Sequence, residues 1–72
     1  MTTIRLRAPV TQAREKVSAW LKERGIYRDL YELGYDMVGE SEEGIHLAPV
    51  LRIDDGVLAD SDVTEFILRF GV

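Results

Sequence analysis

The sequence of 72 residues contains no cysteine, one histidine and two prolines. Without a thiolate the chain cannot form a disulfide or perform dithiol redox catalysis, and a lone histidine argues against a zinc site. No apolar run approaches the ~18 residues of a membrane helix, and residues 1–10 lack the apolar centre of a signal peptide. We therefore expect one cytoplasmic domain over residues 1–72, with no metal and no membrane contact.

Acidic residues exceed basic ones, so the formal net charge is −4. This balance argues against general nucleic-acid binding. Residues 1–28 carry seven Lys or Arg against two Glu, whereas residues 29–72 carry two Arg against eleven acidic residues. Two interpretations follow: solvated surfaces of opposite sign within one fold, or a charged surface that binds a ligand or protein.

The first half of the chain begins with an alternating segment. Ile4 and Leu6 alternate with arginines over residues 3–7, which predicts a strand with one apolar face. Thr11 is a suitable N-cap for a helix that ends at Gly25. Apolar residues at helical spacing form the predicted buried stripe of this helix: Ala13, Val17, Trp20 and Leu21.

The middle of the chain is ambiguous. Residues 26–32 fit either a helical or a strand period, and we predict a strand because Gly25 ends a helix immediately before them. Residues 34–44 hold three glycines and four acidic residues. We predict a loop or a short, poorly formed helix there.

Clearer signals follow in the last third. Leu51 and Ile53 define one face of a strand over residues 49–54. Asp55-Gly56 favours a two-residue hairpin turn, with residues 57–58 returning as a further strand. Asp62 and Glu65 form a capping-box variant at the start of the last helix, whose buried stripe is predicted to be Val63, Phe66, Ile67 and Phe70.

The predicted order is β-α-β-(loop)-β-β-α, an α/β or α+β domain. A βαβ unit requires parallel strands and a hairpin requires antiparallel ones. A mixed four-stranded sheet with two helices on one face satisfies both requirements.

Two stretches carry a family resemblance: Leu6-Arg7-Ala8-Pro9-Val10 before the first helix, and Leu58-Ala59-Asp60-Ser61 before the last. They resemble the thioredoxin superfamily, in its glutaredoxin form and in the N-terminal domain of glutathione transferases. The resemblance implies a cis-proline at Pro49, with Thr11 and Arg14 at the positions of the redox cysteines. It implies a glutathione site built from Thr11, Arg14, Ala48, Pro49, Asp60 and Ser61.

The chain departs from the family because the second family helix is short or missing. Arg5, Arg7 and Arg52 would then point at an uncovered sheet face, since a fully buried face would not carry arginines. The acidic residues 32–43 could cover that face as a flap held by exposed ion pairs. We predict a partner-binding surface at these three arginines.

No nucleophile–base–acid set and no phosphate loop is present, so the sequence predicts no catalytic residue and favours a non-enzyme. We predict a redox-inactive, glutaredoxin-like module that binds another protein in a regulatory or inhibitory role, without a cofactor. The alternatives are a protein that binds glutathione or is a transferase-like enzyme, using Thr11, Asp60 and Ser61, and a docking subunit of a larger complex.

Overall fold

The computed structural model describes all 72 residues. Three strands form an antiparallel sheet in the order β1-β3-β2, and two helices pack on one of its faces. The α+β class and the two helices are therefore as predicted, but the mixed four-stranded sheet is wrong. The elements are β1 (Thr2–Arg5), α1 (Val10–Glu23), a 3₁₀ turn (Arg28–Leu30), β2 (Tyr31–Ser41), β3 (Gly44–Ile53) and α2 (Asp60–Phe70).

The segment after α1 is not the predicted parallel strand. Gly25 has a φ of +74°, and its N–H donates to the Lys22 carbonyl while the N–H of Ile26 donates to the Leu21 carbonyl. These two bonds form a Schellman motif, which ends the helix as the glycine predicted. Ile26 is buried, and a single 3₁₀ turn reverses the chain before β2 begins at Tyr31.

The predicted loop over residues 34–44 is instead most of a long β-hairpin. Apolar residues alternate from Tyr31 through Leu33 and Tyr35 to Met37, which is the period of a strand. The hairpin turns at residues 42–43, and Gly44 has a φ of +134° that other residues rarely adopt. Acidic and glycine residues between the apolar ones concealed this pattern in the sequence.

No strand follows the turn at Asp55-Gly56. Gly56 has a φ of +86°, but the N–H of Val57 closes the turn on the Asp54 carbonyl at 3.3 Å, and the chain then enters α2. The physical reason is that β3 already lies between β1 and β2, so neither of its edges is free for a returning strand.

Hydrogen bonds tie this turn to the start of β1. The Thr2 hydroxyl donates to Asp55 at 2.7 Å, and the N-terminal ammonium donates to the same carboxylate at 3.1 Å. The Thr2 bond, with the ammonium charge, holds the pKa of Asp55 below its usual value.

Neither helix uses its predicted cap. The N-cap of α1 is Pro9, so Thr11 lies inside the first turn, and the N-cap of α2 is Ala59, so Asp62 also lies inside. No side chain caps either helix. Asp60 and Asp62 nevertheless stabilise the first turn of α2, because the helix dipole favours negative charge there.

The hydrophobic core lies between the helices and the sheet. Trp20 and Phe66 meet edge to face with ring centroids 5.4 Å apart, and Phe70 packs beside Phe66 at 5.0 Å. Ile67, predicted to be buried, is 39% exposed. The remaining core residues come from both helices, β1, β3 and the connecting turns: Ile4, Leu6, Ala13, Val17, Leu21, Ile26, Leu51, Ile53 and Leu58.

Candidate interaction surface

The β2–β3 hairpin extends beyond the rest of the fold. β1 pairs with β3 only as far as Arg5 opposite Val50, so the hairpin is a two-stranded ribbon past this point. The Tyr35 hydroxyl accepts a hydrogen bond from the backbone N–H of Val10, at the start of α1. We call residues 36–47 the arm; no residue of the arm is buried.

One face of the arm is apolar. Residues 45, 47, 49, 51 and 53 of β3 share the face that covers the core, since side chains alternate along a strand. Tyr35 pairs with Pro49 and Met37 pairs with Leu47 on this face. Met37 is 63% exposed, and Leu47 and Ile45 are each 60% exposed. The core face of the sheet therefore continues past the helices with nothing packed on it.

The arm is also strongly acidic. No Lys or Arg occurs between Arg28 and Arg52. Glu40, Glu42 and Glu43 lie at the end of the hairpin, and none of the ion pairs of the structure involves them. The arm thus combines exposed apolar side chains with unpaired negative charge.

The opposite face of the sheet carries a single arginine cluster. Arg52 forms ion pairs with Glu32 at 3.4 Å and with Asp36, and it donates to the Tyr35 carbonyl at 3.2 Å. A Cβ on Gly34 would lie 3.2 Å from Nη1 of Arg52, so the absence of a side chain at Gly34 lets the guanidinium cross β2. These acidic partners come from residues 32–43, but as β2 residues beside Arg52 and not as a separate flap.

The three arginines predicted to share an open face are separated. Arg5 lies opposite Val50 and therefore on the same face as Arg52. Arg7 follows β1 and turns to the other layer, where Nε donates to the Gly71 carbonyl and Nη2 to the Leu68 carbonyl. Arg7 thereby satisfies carbonyls at the C-terminal end of α2, where the helix dipole favours a cation.

The six residues assigned to glutathione do not form one site. Thr11 lies in the first turn of α1, whereas Asp60 and Ser61 lie in the first turn of α2. Arg24 at the end of α1 binds Asp62, so the two helices are antiparallel and these turns are about 20 Å apart along α1. Ala48 is buried within β3, and the peptide bond before Pro49 is trans, not cis. Arg14 lines a separate shallow groove of about 360 Å³ between α1 and β2.

A positively charged groove lies between the two helices. Its volume is about 550 Å³, and no carboxylate lines it. Lys16 and Arg69 take part in no ion pair or side-chain hydrogen bond. We call this the basic groove; its lining residues are Arg7, Ala8, Gln12, Ala13, Lys16, Arg69 and Phe70.

The sequence analysis did not identify the apolar side chains of the arm as functional. The period-two pattern of Leu33, Tyr35 and Met37 was available in the sequence, but reading it as a strand required that the glycines and acidic residues around it be tolerated in a ribbon. The exposure of these side chains was not available, because it depends on where the helices end.

Comparisons with known proteins identify no relative. No family model, no curated protein and no solved structure matches the chain. The resemblance to the thioredoxin superfamily therefore stays a prediction from the sequence. The structure holds no group of His, Cys, Asp or Glu side chains suited to a metal ion, and none of its helices is long and apolar enough to cross a bilayer.

Proposed function

We propose that this protein is a binding module that uses the arm to bind another protein chain. The observation that carries the proposal is the row of exposed apolar side chains at Tyr35, Met37, Ile45 and Leu47. Contiguous exposed apolar surface on a small protein is typical of a binding site. A ribbon that projects from the body can also enter a groove of its partner.

Charge specifies the partner's surface further. The arm carries four acidic residues and no Lys or Arg, so a complementary surface is apolar and bordered by basic side chains. The same surface would serve a free regulatory protein or a subunit of a larger assembly. No observation favours glutathione, because Thr11 and Asp60 lie at opposite ends of the helix pair.

Site-specific photocrosslinking in the cells that make the protein tests this proposal. We expect p-benzoylphenylalanine at position 47 to give one discrete covalent adduct, because this position lies on the apolar row. The same label at Lys22, exposed in the last turn of α1, is the control and should give none. Adding Met37→Asp, across the ribbon from position 47, should abolish the adduct.

Two results would contradict the proposal: no adduct from position 47, or equal adducts from positions 47 and 22. Circular dichroism of each labelled protein verifies that the fold is intact. The mass of the adduct identifies the partner, since a second copy of this 8.2 kDa chain doubles the mass and any other protein does not.

A further inference from the structure

The arm and the basic groove carry unpaired charges of opposite sign. Glu40, Glu42 and Glu43 at the end of the arm form no ion pair, and neither do Lys16 and Arg69 in the groove. Both surfaces therefore lack a partner, and each has the charge that the other requires.

Both surfaces lie at the same end of the molecule. The arm leaves the body where Tyr35 meets the start of α1. The groove includes Arg7 and Ala8, directly before α1, and Arg69 and Phe70 at the end of α2. A two-fold dimer needs a patch that is complementary to itself. Neighbouring arm and groove meet this need, because each arm of a dimer can reach the groove of the other copy.

The apolar parts of the two surfaces also correspond. The apolar face of the arm is the side of the sheet on which the helices pack, so the end of a second helix layer can continue that packing beneath Met37 and Leu47. Phe70 lines the groove, and Leu68, 73% exposed, lies in the same last turns of α2. Acidic and apolar groups of the arm thus have basic and apolar counterparts at the helix ends.

The shape of the chain agrees with a dimer of this kind. Its accessible surface is 5072 Å², against roughly 4,500 Å² for a folded monomer of this mass. The excess is consistent with a projecting arm. A standard interface buries about 800 Å² on each partner, an area that the arm and the helix ends together can supply.

We infer that the partner of the arm is a second copy of this chain, in a two-fold dimer where each arm lies in the basic groove of the other. This inference rests on the proposed function of the arm. Arg7 is held in place by the Gly71 and Leu68 carbonyls, so its positive charge is preorganised for the acidic end of the incoming arm.

Charge reversal tests the pairing directly. Light scattering after size exclusion should give the wild-type chain twice its 8.2 kDa mass. The arm variant Glu40→Lys/Glu43→Lys and the groove variant Lys16→Glu/Arg69→Glu should each be monomeric, because both then place like charges together. An equimolar mixture of the two variants should recover the doubled mass, since both arm–groove contacts become complementary again.

The control is Asp54→Lys, an exposed acidic residue between β3 and the Asp55-Gly56 turn, which should leave the dimer intact. Far-ultraviolet circular dichroism establishes that every variant is folded. A monomeric wild type at several hundred micromolar overturns the inference, and so do variants that stay dimeric or a mixture that stays monomeric.

The outcomes separate this inference from the proposed function. A monomeric wild type whose position 47 crosslinks to a different protein overturns the second-copy partner and leaves the arm as a binding surface. A monomeric wild type without any crosslink from position 47 overturns both.

Discussion

Arg24 joins the C-terminal end of α1 to the N-terminal end of α2. Its guanidinium lies 3.6 Å from the ring centroid of Trp20 and pairs with Asp62 at 3.4 Å and Glu65 at 3.3 Å. A planar guanidinium can stack and bind two carboxylates at once, which an ammonium cannot. Asp62 and Glu65, which the sequence predicted as a capping box, therefore hold the helices together.

Replacing Arg24 tests this role. We expect Arg24→Ala to lower the free energy of unfolding by about 1–2 kcal/mol, through lost cation–π stacking and partly exposed ion pairs. Arg24→Lys should fall between the two. Urea unfolding followed by Trp20 fluorescence measures the change. Arg14→Ala on the same helix is the control and should change stability by less than about 0.5 kcal/mol; equal effects of the two alanine variants would contradict the assigned role.

Arg7 performs the corresponding task at the other end of the helix pair. It binds the Leu68 and Gly71 carbonyls, which lie more than sixty positions away in the chain. Because these partners are distant in sequence, spacing alone assigned Arg7 to an open sheet face. Residue type predicted that each arginine would meet an acceptor, but not which one.

The end of α2 is fixed by a close backbone contact. Gly71 follows the helix, donates its N–H to the Ile67 carbonyl and forms an isolated bridge with Leu6. A Cβ at this position would lie 2.8 Å from both Cα and O of Ile67. The glycine is needed here for space, since its φ of −85° is open to any residue.

We predict that Gly71→Ala lowers the free energy of unfolding by about 1–3 kcal/mol, the usual cost of overpacking. Thermal unfolding monitored by circular dichroism measures it. Gly39→Ala is the matched control, because its Cβ would meet only His46 at 3.7 Å, an ordinary contact. An unchanged midpoint for Gly71→Ala would show that the backbone adjusts without cost.

The hairpin is the element that the sequence analysis misjudged most. The register of β2 against β3 shifts between Met37 and Gly39, which leaves Val38 as a bulge. Bulges and acidic side chains discourage uncontrolled pairing along an edge strand. The glycine and glutamate content that indicated a loop is therefore compatible with a ribbon whose free edge must not aggregate.

The molecule as a whole is elongated. Its principal extents are 43 × 23 × 22 Å, and its radius of gyration is 12.7 Å, against about 11 Å for a compact chain of this length. None of the residues of the core cluster belongs to the arm. The body and the arm are thus separate in their stabilising interactions.

Shortening the hairpin tests this separation. Replacing residues 37–47 by Asn-Gly joins the paired residues Asp36 and Ala48 through a favoured two-residue turn. We expect this variant to unfold cooperatively, with a midpoint close to that of the full chain and an unchanged Trp20 emission. It should also lose every interaction that depends on the arm. Loss of the folded body would contradict the separation.

Much of the fold was predictable from local signals. The two helices, the stop at Gly25 and the shared face of Leu51 and Ile53 follow from periodicity and backbone preference, which act within a few residues. The arrangement of the strands was not predictable in this way. A favourable turn pair at Asp55-Gly56 suggested a hairpin, although both edges of β3 were occupied by distant segments.

The sequence by itself determined that the chain has no thiol chemistry, that two amphipathic helices form and that the arm is acidic, because these depend on residue type and local spacing. Only the tertiary structure decided that the helix layer ends at Val10 while the sheet continues beyond it. It also brought Arg7, Lys16 and Arg69 to one groove beside the arm. Coverage and charge clustering depend on segments that are far apart in the chain and meet only on folding.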